Sequence, residues 1–149
     1  MKITEVLLAE HRIFLGVFDQ IERVLPRLTT FAEVKTLASV IEGLLENHAE
    51  TETNLAYLAL DHVMHHKGQL DRLHEEHSEI DASLHQVQKA GSCAEARRLL
   101  KAAIQASRDH FRFEEQSVFP LLENALLGET LTELGATWSQ RFEVLPSSS

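Results

Sequence analysis

The clearest pattern along the chain is the recurrence of hydrophobic residues every three or four positions, which is typical of amphipathic α-helices. Polar and charged residues fill the positions between them, so each stretch has one apolar face and one solvated face. Four long stretches of this kind follow one another with short connections, and a shorter one lies near the C-terminus. The pattern predicts an all-α fold, an antiparallel up-down-up-down four-helix bundle with a short C-terminal helix.

Local signals mark where the predicted helices begin and end. Pro26 ends the first helix, because proline cannot continue the interior of an α-helix. The second and fourth helices begin at Ser/Thr-x-x-Glu capping boxes, which are Thr30 with Glu33 and Ser92 with Glu95. The four predicted helices cover residues 3–25, 30–61, 69–90 and 92–127.

The C-terminal part of the chain is less regular. Pro120 predicts a break or kink in the fourth helix, and Gly128 predicts the end of its continuation. Thr130 and Glu133 then form a third capping box, which predicts that the short last helix begins there and reaches Trp138.

Length and composition fit one helical domain. With 149 residues, of which 44% are hydrophobic, the chain can bury a core of ordinary size. Glycine and proline are scarce, and strong helix formers dominate. We assign residues 1–145 to a single four-helix-bundle domain, residues 62–68 to a connection or frayed helix end, and residues 146–149 to a loose tail.

Charge and cysteine content exclude several classes of protein. The formal net charge of -9 disfavours binding to nucleic acid or to an anionic membrane surface. The single cysteine, Cys93, excludes an intramolecular disulfide and an all-thiolate zinc site. The N-terminus lacks the pattern of a signal peptide, and no apolar run approaches the roughly 20 residues that span a bilayer. We therefore expect a cytoplasmic protein without a nucleic-acid or membrane partner.

Histidine is abundant, with 9 residues in the chain, and a buried histidine needs a partner such as a metal ion. Two His-x-x-x-Glu pairs lie within apolar stripes, His48 with Glu52 and His110 with Glu114. Residues four apart share one helix face, so both pairs point at the core. His11 and His77 occupy apolar stripes on the first and third helices. The two halves of the chain therefore share a layout, which predicts two helix pairs related by a pseudo-twofold axis.

Two glutamates that face one dry core would repel each other unless cations lie between them. Two bridged metal ions remove this repulsion, with histidines as the remaining ligands. The nitrogen and oxygen donors, without thiolate, favour iron, manganese or zinc, and carboxylate bridges with several histidines favour two iron ions. The predicted ligands are His11, His48, Glu52, His77, His110 and Glu114.

The order His, His-x-x-x-Glu, His, His-x-x-x-Glu on four successive helices resembles the hemerythrin-like (HHE) cation-binding domain. The resemblance covers about residues 1–127. It implies a non-haem di-iron centre in which Glu52 and Glu114 are bridges, with an oxo or hydroxo group also joining the ions. Members of the family bind O2 or react with it, sense oxygen, iron or redox state, or respond to nitric oxide, so O2 and NO are the implied small-molecule ligands.

The sequence departs from the oxygen carriers of that family at two positions. They have His-x-x-x-His on the third helix, whereas here His74 precedes His77 by three residues. A separation of about 60° around the helix keeps His74 near the site, so it is a candidate fifth histidine ligand. The carriers also have a bridging Asp five residues after the fourth-helix histidine. That position is Glu115 here, which is turned about 140° away from His110, so we choose Glu114 as the bridge.

Other residues near the predicted centre have simpler interpretations. Glu10 and Glu76 directly precede ligand histidines and are expected to be solvated. Tyr57 and Phe119 are expected to be core aromatics. The remaining histidines are expected at the surface, in a connection or around the site, and they are His62, His65, His66 and His85.

Three functions are compatible with these features. The favoured one is a di-iron protein for O2 binding or sensing, or for a redox, iron or nitric oxide response. A di-iron enzyme with ferroxidase, peroxide or NO reactivity is the alternative, although the sequence shows no substrate pocket and we assign no catalytic residue. A metal-free helical interaction module is least favoured, because the stripes offer no other apolar face. The sequence does not identify a protein partner.

Overall fold

The computed structural model describes residues 1–63 and 68–143. These residues form helices and no strand, so the predicted all-α fold is confirmed. The helices are α1 (Ile3–Val24), α2 (Phe31–Thr51), α3 (Leu58–Val63), α4 (Gly68–Gln88), α5 (Cys93–Phe113), α6 (Phe119–Ala125) and α7 (Gly128–Glu143).

Two π-helical turns join these helices into longer units. Glu52–Tyr57 connects α2 to α3, and Glu114–Val118 connects α5 to α6, without a break in the helical backbone. The bundle therefore consists of α1, α2 with α3, α4, and α5 with α6. A short 3-10 turn, Leu25–Arg27, contains Pro26 and ends the first helix as predicted.

The two N-terminal caps predicted for the second and fourth helices are present. Thr30 Oγ1 accepts a hydrogen bond from the backbone N–H of Glu33 at 3.3 Å. Ser92 Oγ accepts from the backbone N–H of Glu95 at 3.1 Å. Each bond satisfies an N–H group that the first turn of the helix leaves free, and is worth about 1 kcal/mol.

The C-terminal region corrects two predicted boundaries. Pro120 lies in the first turn of α6, directly after a π-turn, where its missing N–H costs little. The helix ends at Ala125, because Leu126 adopts an extended backbone. Gly128 begins α7 instead of ending α6, and Thr130 lies inside α7 because the Leu127 carbonyl already accepts the first helical bond, from Leu131 N–H at 3.1 Å.

The core consists of two hydrophobic clusters with a polar layer between them. One cluster, around Phe18, Ile41 and Leu100, fills the half of the bundle near the α1–α2 and α4–α5 connections. The other, around Leu7 and Leu122, fills the opposite half, where α7 packs on α1. The buried polar residues of the described chain are Thr4, His11, His48, Thr51, Glu52, Ser107, His110 and Glu114.

Part of the predicted connection, and the predicted tail, lie outside the residues that the structure describes. His62 and Val63 end α3, and Gly68 begins α4, whereas residues 64–67 are outside the described residues, as is the tail at 146–149. In the ranges 1–63 and 68–143, no helix combines the length and the apolar character that crossing a bilayer requires.

Candidate metal centre

The structure brings the six predicted ligands together in the polar layer. His11 lies on α1, His48 on α2, His77 on α4 and His110 on α5, so each long helix of the bundle contributes one imidazole. The two glutamates begin the two π-turns. Five of the six side chains are between 0% and 3% exposed, and His77 is the most exposed at 14%.

The six residues form two tetrads that share both glutamates, and in each tetrad the potential ligand atoms lie within 4.8 Å of one another. The first tetrad contains His11, His48, Glu52 and Glu114. The second contains His77, His110 and the same two carboxylates. Each tetrad offers two nitrogen and two oxygen donors, which is a donor set that iron, manganese and zinc accept.

Each carboxylate turns one oxygen toward each tetrad. Glu52 Oε1 lies 3.0 Å from His48 Nε2, and Glu52 Oε2 lies 3.4 Å from His77 Nε2. For Glu114, Oε2 lies 3.3 Å from His11 Nε2 and Oε1 lies 3.3 Å from His110 Nε2. A carboxylate with its two oxygens on two different donor sets has the arrangement of a bridge between two ions.

Three further carboxylates orient the histidine rings, and this corrects two expectations from the sequence. Glu10, expected to be solvated, lies with Oε2 2.9 Å from His48 Nδ1. Glu76, also expected to be solvated, lies with Oε2 2.7 Å from His110 Nδ1. Both bonds cross between helices, which periodicity within one helix cannot show.

The third of these carboxylates is Glu115, whose Oε1 lies 3.0 Å from His11 Nδ1. Glu115 faces away from the two tetrads, as expected, but its hydrogen bond to Nδ1 orients the ring of His11. When Nδ1–H donates to a carboxylate, Nε2 is left with a free lone pair that points at the metal. Three of the four rings therefore have a carboxylate at Nδ1, which favours the ligating tautomer once Nε2 loses its proton.

Tyr57 is more than the core aromatic that the sequence predicted. Its hydroxyl donates to Glu114 Oε1 and lies 3.4 Å from Glu52 Oε2, so it contacts both bridging carboxylates. In a regular α-helix a residue five positions after Glu52 would be turned about 140° away. The wider π-turn brings Tyr57 onto the same face as Glu52, and π-turns are frequent at functional sites.

Phe119 occupies the position after Glu114 that corresponds to Tyr57 after Glu52. Its ring stacks on His11 with centroids 5.4 Å apart, and Phe111 stacks on the same imidazole at 4.0 Å. Phe119 is therefore a core aromatic, as predicted. The pseudo-twofold layout is broken here, because one tetrad has a phenol hydroxyl beside it and the other an apolar ring.

The protonation of the centre is set by opposing effects of burial and charge. Burial lowers the pKa values of His11 and His48, but hydrogen bonds and charge from Glu114, Glu52 and Glu10 outweigh it and raise them to about 9 and about 10. Burial would raise the pKa of Glu52, yet the charge of His48 and bonds from the surrounding rings hold it well below its usual value. Burial, followed by the two carboxylates, raises the pKa of Tyr57, so the phenol stays neutral.

The buried donors fit a metal pair because protein partners do not satisfy them all. Glu52 Oε1, Glu114 Oε2 and His110 Nε2 are buried and form no hydrogen bond of good geometry among the described residues, although each lies 3.0–3.3 Å from a nitrogen or oxygen of another predicted ligand. Unsatisfied polar atoms in a dry core are costly and demand an explanation. Two cations between the tetrads would satisfy all three atoms and neutralise both carboxylates.

The other histidines singled out in the sequence lie farther from the centre. His74 belongs to neither tetrad, its side chain is exposed, and its ring meets Tyr57 edge-on with centroids 5.7 Å apart. His85 is 62% exposed and lies 3.8 Å from Glu42, so it is a surface residue. His62 is exposed at the end of α3, whereas His65 and His66 lie outside the described residues.

A narrow cleft between α2, α4 and α5 reaches the centre from the surface. It contains about 20 Å³ of space for water and is lined by His48, His77 and His110 at its inner end. Asp81 and Ser107 also line it. The pKa of Asp81 is raised, first by partial burial and then by the negative charges of nearby carboxylates.

Comparison with known families agrees with this geometry. The family model described as the hemerythrin HHE cation binding domain matches residues 2–122, which include all six predicted ligands and end within α6. No curated protein and no solved structure matches the chain.

Proposed function

The chain belongs to the hemerythrin HHE cation-binding domain family, and from that premise we propose that it is a non-haem di-iron protein that binds O2 or NO. The observation that carries the proposal is the pair of tetrads that share Glu52 and Glu114. Each ion would have two imidazoles and two bridging carboxylate oxygens from the chain. Iron accepts more than four ligands, so positions would remain for an oxo or hydroxo bridge and for an external ligand.

The residues around the ions define what the protein contributes. His11 and His48 would hold one iron, and His77 and His110 the other. Glu10, Glu76 and Glu115 keep three of the rings in the ligating tautomer and orientation. When bound, a pair of ferrous ions supplies electrons to O2 or a binding position for NO.

The hydroxyl of Tyr57 is placed to control the bridging carboxylates. It donates to Glu114 and lies within 3.4 Å of Glu52, so it limits the rotation of both side chains. With ions bound, Tyr57 would help to hold Glu52 and Glu114 in the bridging position.

Iron is preferred over the other metals that this donor set accepts. Carboxylate bridges between two imidazole pairs suit ions that change oxidation state, and no thiolate is present to favour Cu(I). Zinc binds nitrogen and oxygen sites more tightly than ferrous iron, so it is the main competitor during expression. Manganese is a second alternative.

The proposal is tested with protein that is loaded anaerobically with Fe(II) and then exposed to O2 or NO. We expect new absorption bands from ligand-to-iron charge transfer or from an iron–nitrosyl unit, in a ratio of one ligand per iron pair. Glu52→Ala and Glu114→Ala should lose these bands, while Glu133→Ala, exposed on α7, should keep them. A spectrum that does not respond to either gas would contradict the proposal.

An enzymatic reaction with peroxide or O2 is a second candidate, favoured by two polar side chains within the cleft. The hydroxyl of Ser107 and the carboxylate of Asp81 share the cleft with three ligand histidines. A reversible oxygen carrier is expected to exclude a carboxyl group such as that of Asp81, because it can deliver a proton to reduced oxygen, whereas the Ser107 hydroxyl donates to the Ala103 carbonyl. Repeated turnover of peroxide, or oxidation of many Fe(II) per chain, would support this candidate. Stoichiometric O2 binding without turnover would contradict it.

A further inference from the structure

The cleft that reaches the metal centre has an acidic outer end. Asp81 lines the cleft on α4, one turn after His77, and it is partly exposed. The negative charges that act on it come from Glu46 and Glu42 of α2, the helix that faces α4 across the cleft. Asp81 is therefore the carboxylate that lines the cleft, and the charges of Glu42 and Glu46 add to the negative potential around it.

The inner end of the same cleft carries a buried atom that lacks a partner. His110 lines the cleft with a side chain that is 3% exposed, and its Nε2, 3.3 Å from Glu114 Oε1, forms no hydrogen bond of good geometry among the described residues. An imidazole nitrogen with a free lone pair is a metal ligand, and a carboxylate at the mouth attracts cations. Both ends of the cleft thus favour the binding of a cation.

Two other surface grooves near the centre approach imidazole rings from the Nδ1 side. One, between α4 and α5, is lined by His110 and by Glu76, whose carboxylate is bonded to His110 Nδ1 and to Arg72 Nε. The other, between α1 and α6, ends at Glu115, which is bonded to His11 Nδ1. In both grooves the Nδ1 nitrogen already has a carboxylate partner, whereas the cleft between α2, α4 and α5 is lined by three of the predicted ligand histidines.

The exposure of the ligands agrees with entry through the cleft. His77, which lines it beside Asp81, is 14% exposed, whereas the side chain of His11 is fully buried under the rings of Phe111 and Phe119. An ion that arrives through the cleft therefore meets His77 first, the most exposed of the predicted ligands.

We propose that divalent cations enter the centre through the cleft between α2, α4 and α5, and that Asp81 captures them at its mouth. The proposal rests on the proposed function, since it describes how that centre is loaded. Asp81 would hold a hydrated cation, His77 would take it next, and the bridging carboxylates would complete the transfer. Apart from the bonds to the metal, only N–H bonds of ligand histidines are broken, and their protons pass to solvent.

The test is the rate at which metal-free protein takes up Co²⁺, followed by the visible absorption of the bound ion. Removal of one charge with little change of shape, in Asp81→Asn, should lower the second-order rate constant about tenfold, because steering by local charge changes association rates by 10-fold or more. The rate constant of the variant should also depend less on ionic strength than that of the unchanged protein. The final stoichiometry should stay at two ions per chain, because Asp81 is not a ligand.

Two controls separate the route from general effects. Glu133→Gln removes the same charge on the exposed face of α7 and should load at the unchanged rate. Ala49→Leu narrows the cleft without changing the charge and should slow uptake, whereas Ala102→Leu, on the exposed face of α5, should not. Helical circular dichroism establishes that each variant is folded.

The outcomes distinguish the entry route from the metal function itself. If the unchanged protein takes up two Co²⁺ while Asp81→Asn and Ala49→Leu load equally fast, the route is wrong and the metal centre stands. If Asp81→Asn and Glu133→Gln slow uptake equally, the effect comes from net charge, and the role of Asp81 is refuted. If the unchanged protein binds no Co²⁺, both the route and the proposed function fail.

Discussion

Tyr57 is the residue whose role depends most on its local backbone. Its hydroxyl donates to Glu114 and lies 3.4 Å from Glu52, and both carboxylates are fully buried. Tyr57→Phe should therefore destabilise the metal-free protein by about 2 kcal/mol, the usual cost of losing a hydrogen bond to a buried charge. Urea unfolding of both proteins, with and without bound metal, measures the effect.

The metal-loaded form provides the control for this substitution. Bound cations would neutralise Glu52 and Glu114, so the destabilisation by Tyr57→Phe should be smaller when metal is present. An equal loss of unfolding free energy in the two forms would show that Tyr57 acts through packing alone.

Glu76 tests whether the outer carboxylates serve the centre. Its bond of 2.7 Å to His110 Nδ1 fixes the ring, so Glu76→Gln should weaken metal binding about 10- to 100-fold, the range seen when such partners are changed. Competition with a chelator of known affinity measures the change. Glu79→Gln, exposed on the same helix, is the matched control. Equal affinities for the two variants would contradict the assigned role.

The site residues differ in how far the sequence could identify them. The inward direction of His48 and Glu52 follows from helical periodicity, so the structure brings the predicted set together. Glu10 and His48 lie on different helices, and their bond depends on how those helices rotate against each other. The sequence feature that could have indicated Glu10 and Glu76 is the Glu-His pair, which occurs at residues 10–11 and again at residues 76–77. The contact of Tyr57 with the two carboxylates depends on a π-turn, which no local sequence propensity predicts.

At the scale of elements, α7 is held against the start of α1 by close backbone approach. A Cβ added at Gly135 would lie 2.2 Å from the carbonyl oxygen of Met1, which is backbone and cannot move aside easily. Gly135→Ala should therefore lower the free energy of unfolding by about 1–3 kcal/mol, as overpacking usually does. Thermal or urea unfolding of the metal-free protein measures this.

Gly16 gives the control for that substitution. It lies in the middle of α1, and a Cβ there would meet nothing within 4 Å. Gly16→Ala should raise the unfolding free energy by about 0.5–1 kcal/mol, because alanine favours the helix. A loss of similar size in both variants would contradict the proposed contact between α7 and Met1.

The sequence predicts the start of a helix correctly where a side chain caps its first turn. It fails where the helical backbone already begins before the capping motif. Thr30 and Ser92 begin helices, as their capping boxes indicate. Thr130 heads an equivalent sequence, yet α7 begins earlier, because the backbone at Leu127 and Leu131 already forms the first turn. A capping box is a local preference, and the packing of α7 on α1 overrides it.

At the scale of the whole molecule, the charge of the centre makes stability depend on pH. The pKa values of His11 and His48 are raised to about 9 and about 10 from the usual 6.5. A raised pKa means that folding favours the protonated ring, so this stability is fully present below pH 6.5 and is lost as pH rises through 9 and 10. The metal-free protein should therefore become less stable between pH 7 and pH 10.

Bound metal should remove this dependence, because ligated histidines carry no proton on Nε2. Urea unfolding at a series of pH values, with and without metal, tests both statements. Metal uptake at pH 7 should also release protons, which a pH indicator detects. A metal-free protein whose stability rises between pH 7 and pH 10 would contradict the assigned protonation.

The central claim is that one chain binds two iron ions between two shared glutamates, and metal analysis tests it most directly. Protein purified under anaerobic conditions and loaded with Fe(II) should retain two irons per chain after gel filtration. Glu52→Ala and Glu114→Ala should retain fewer than one, while Glu133→Ala should retain two. One iron or none in the unchanged protein, or two in either bridge variant, would contradict the account.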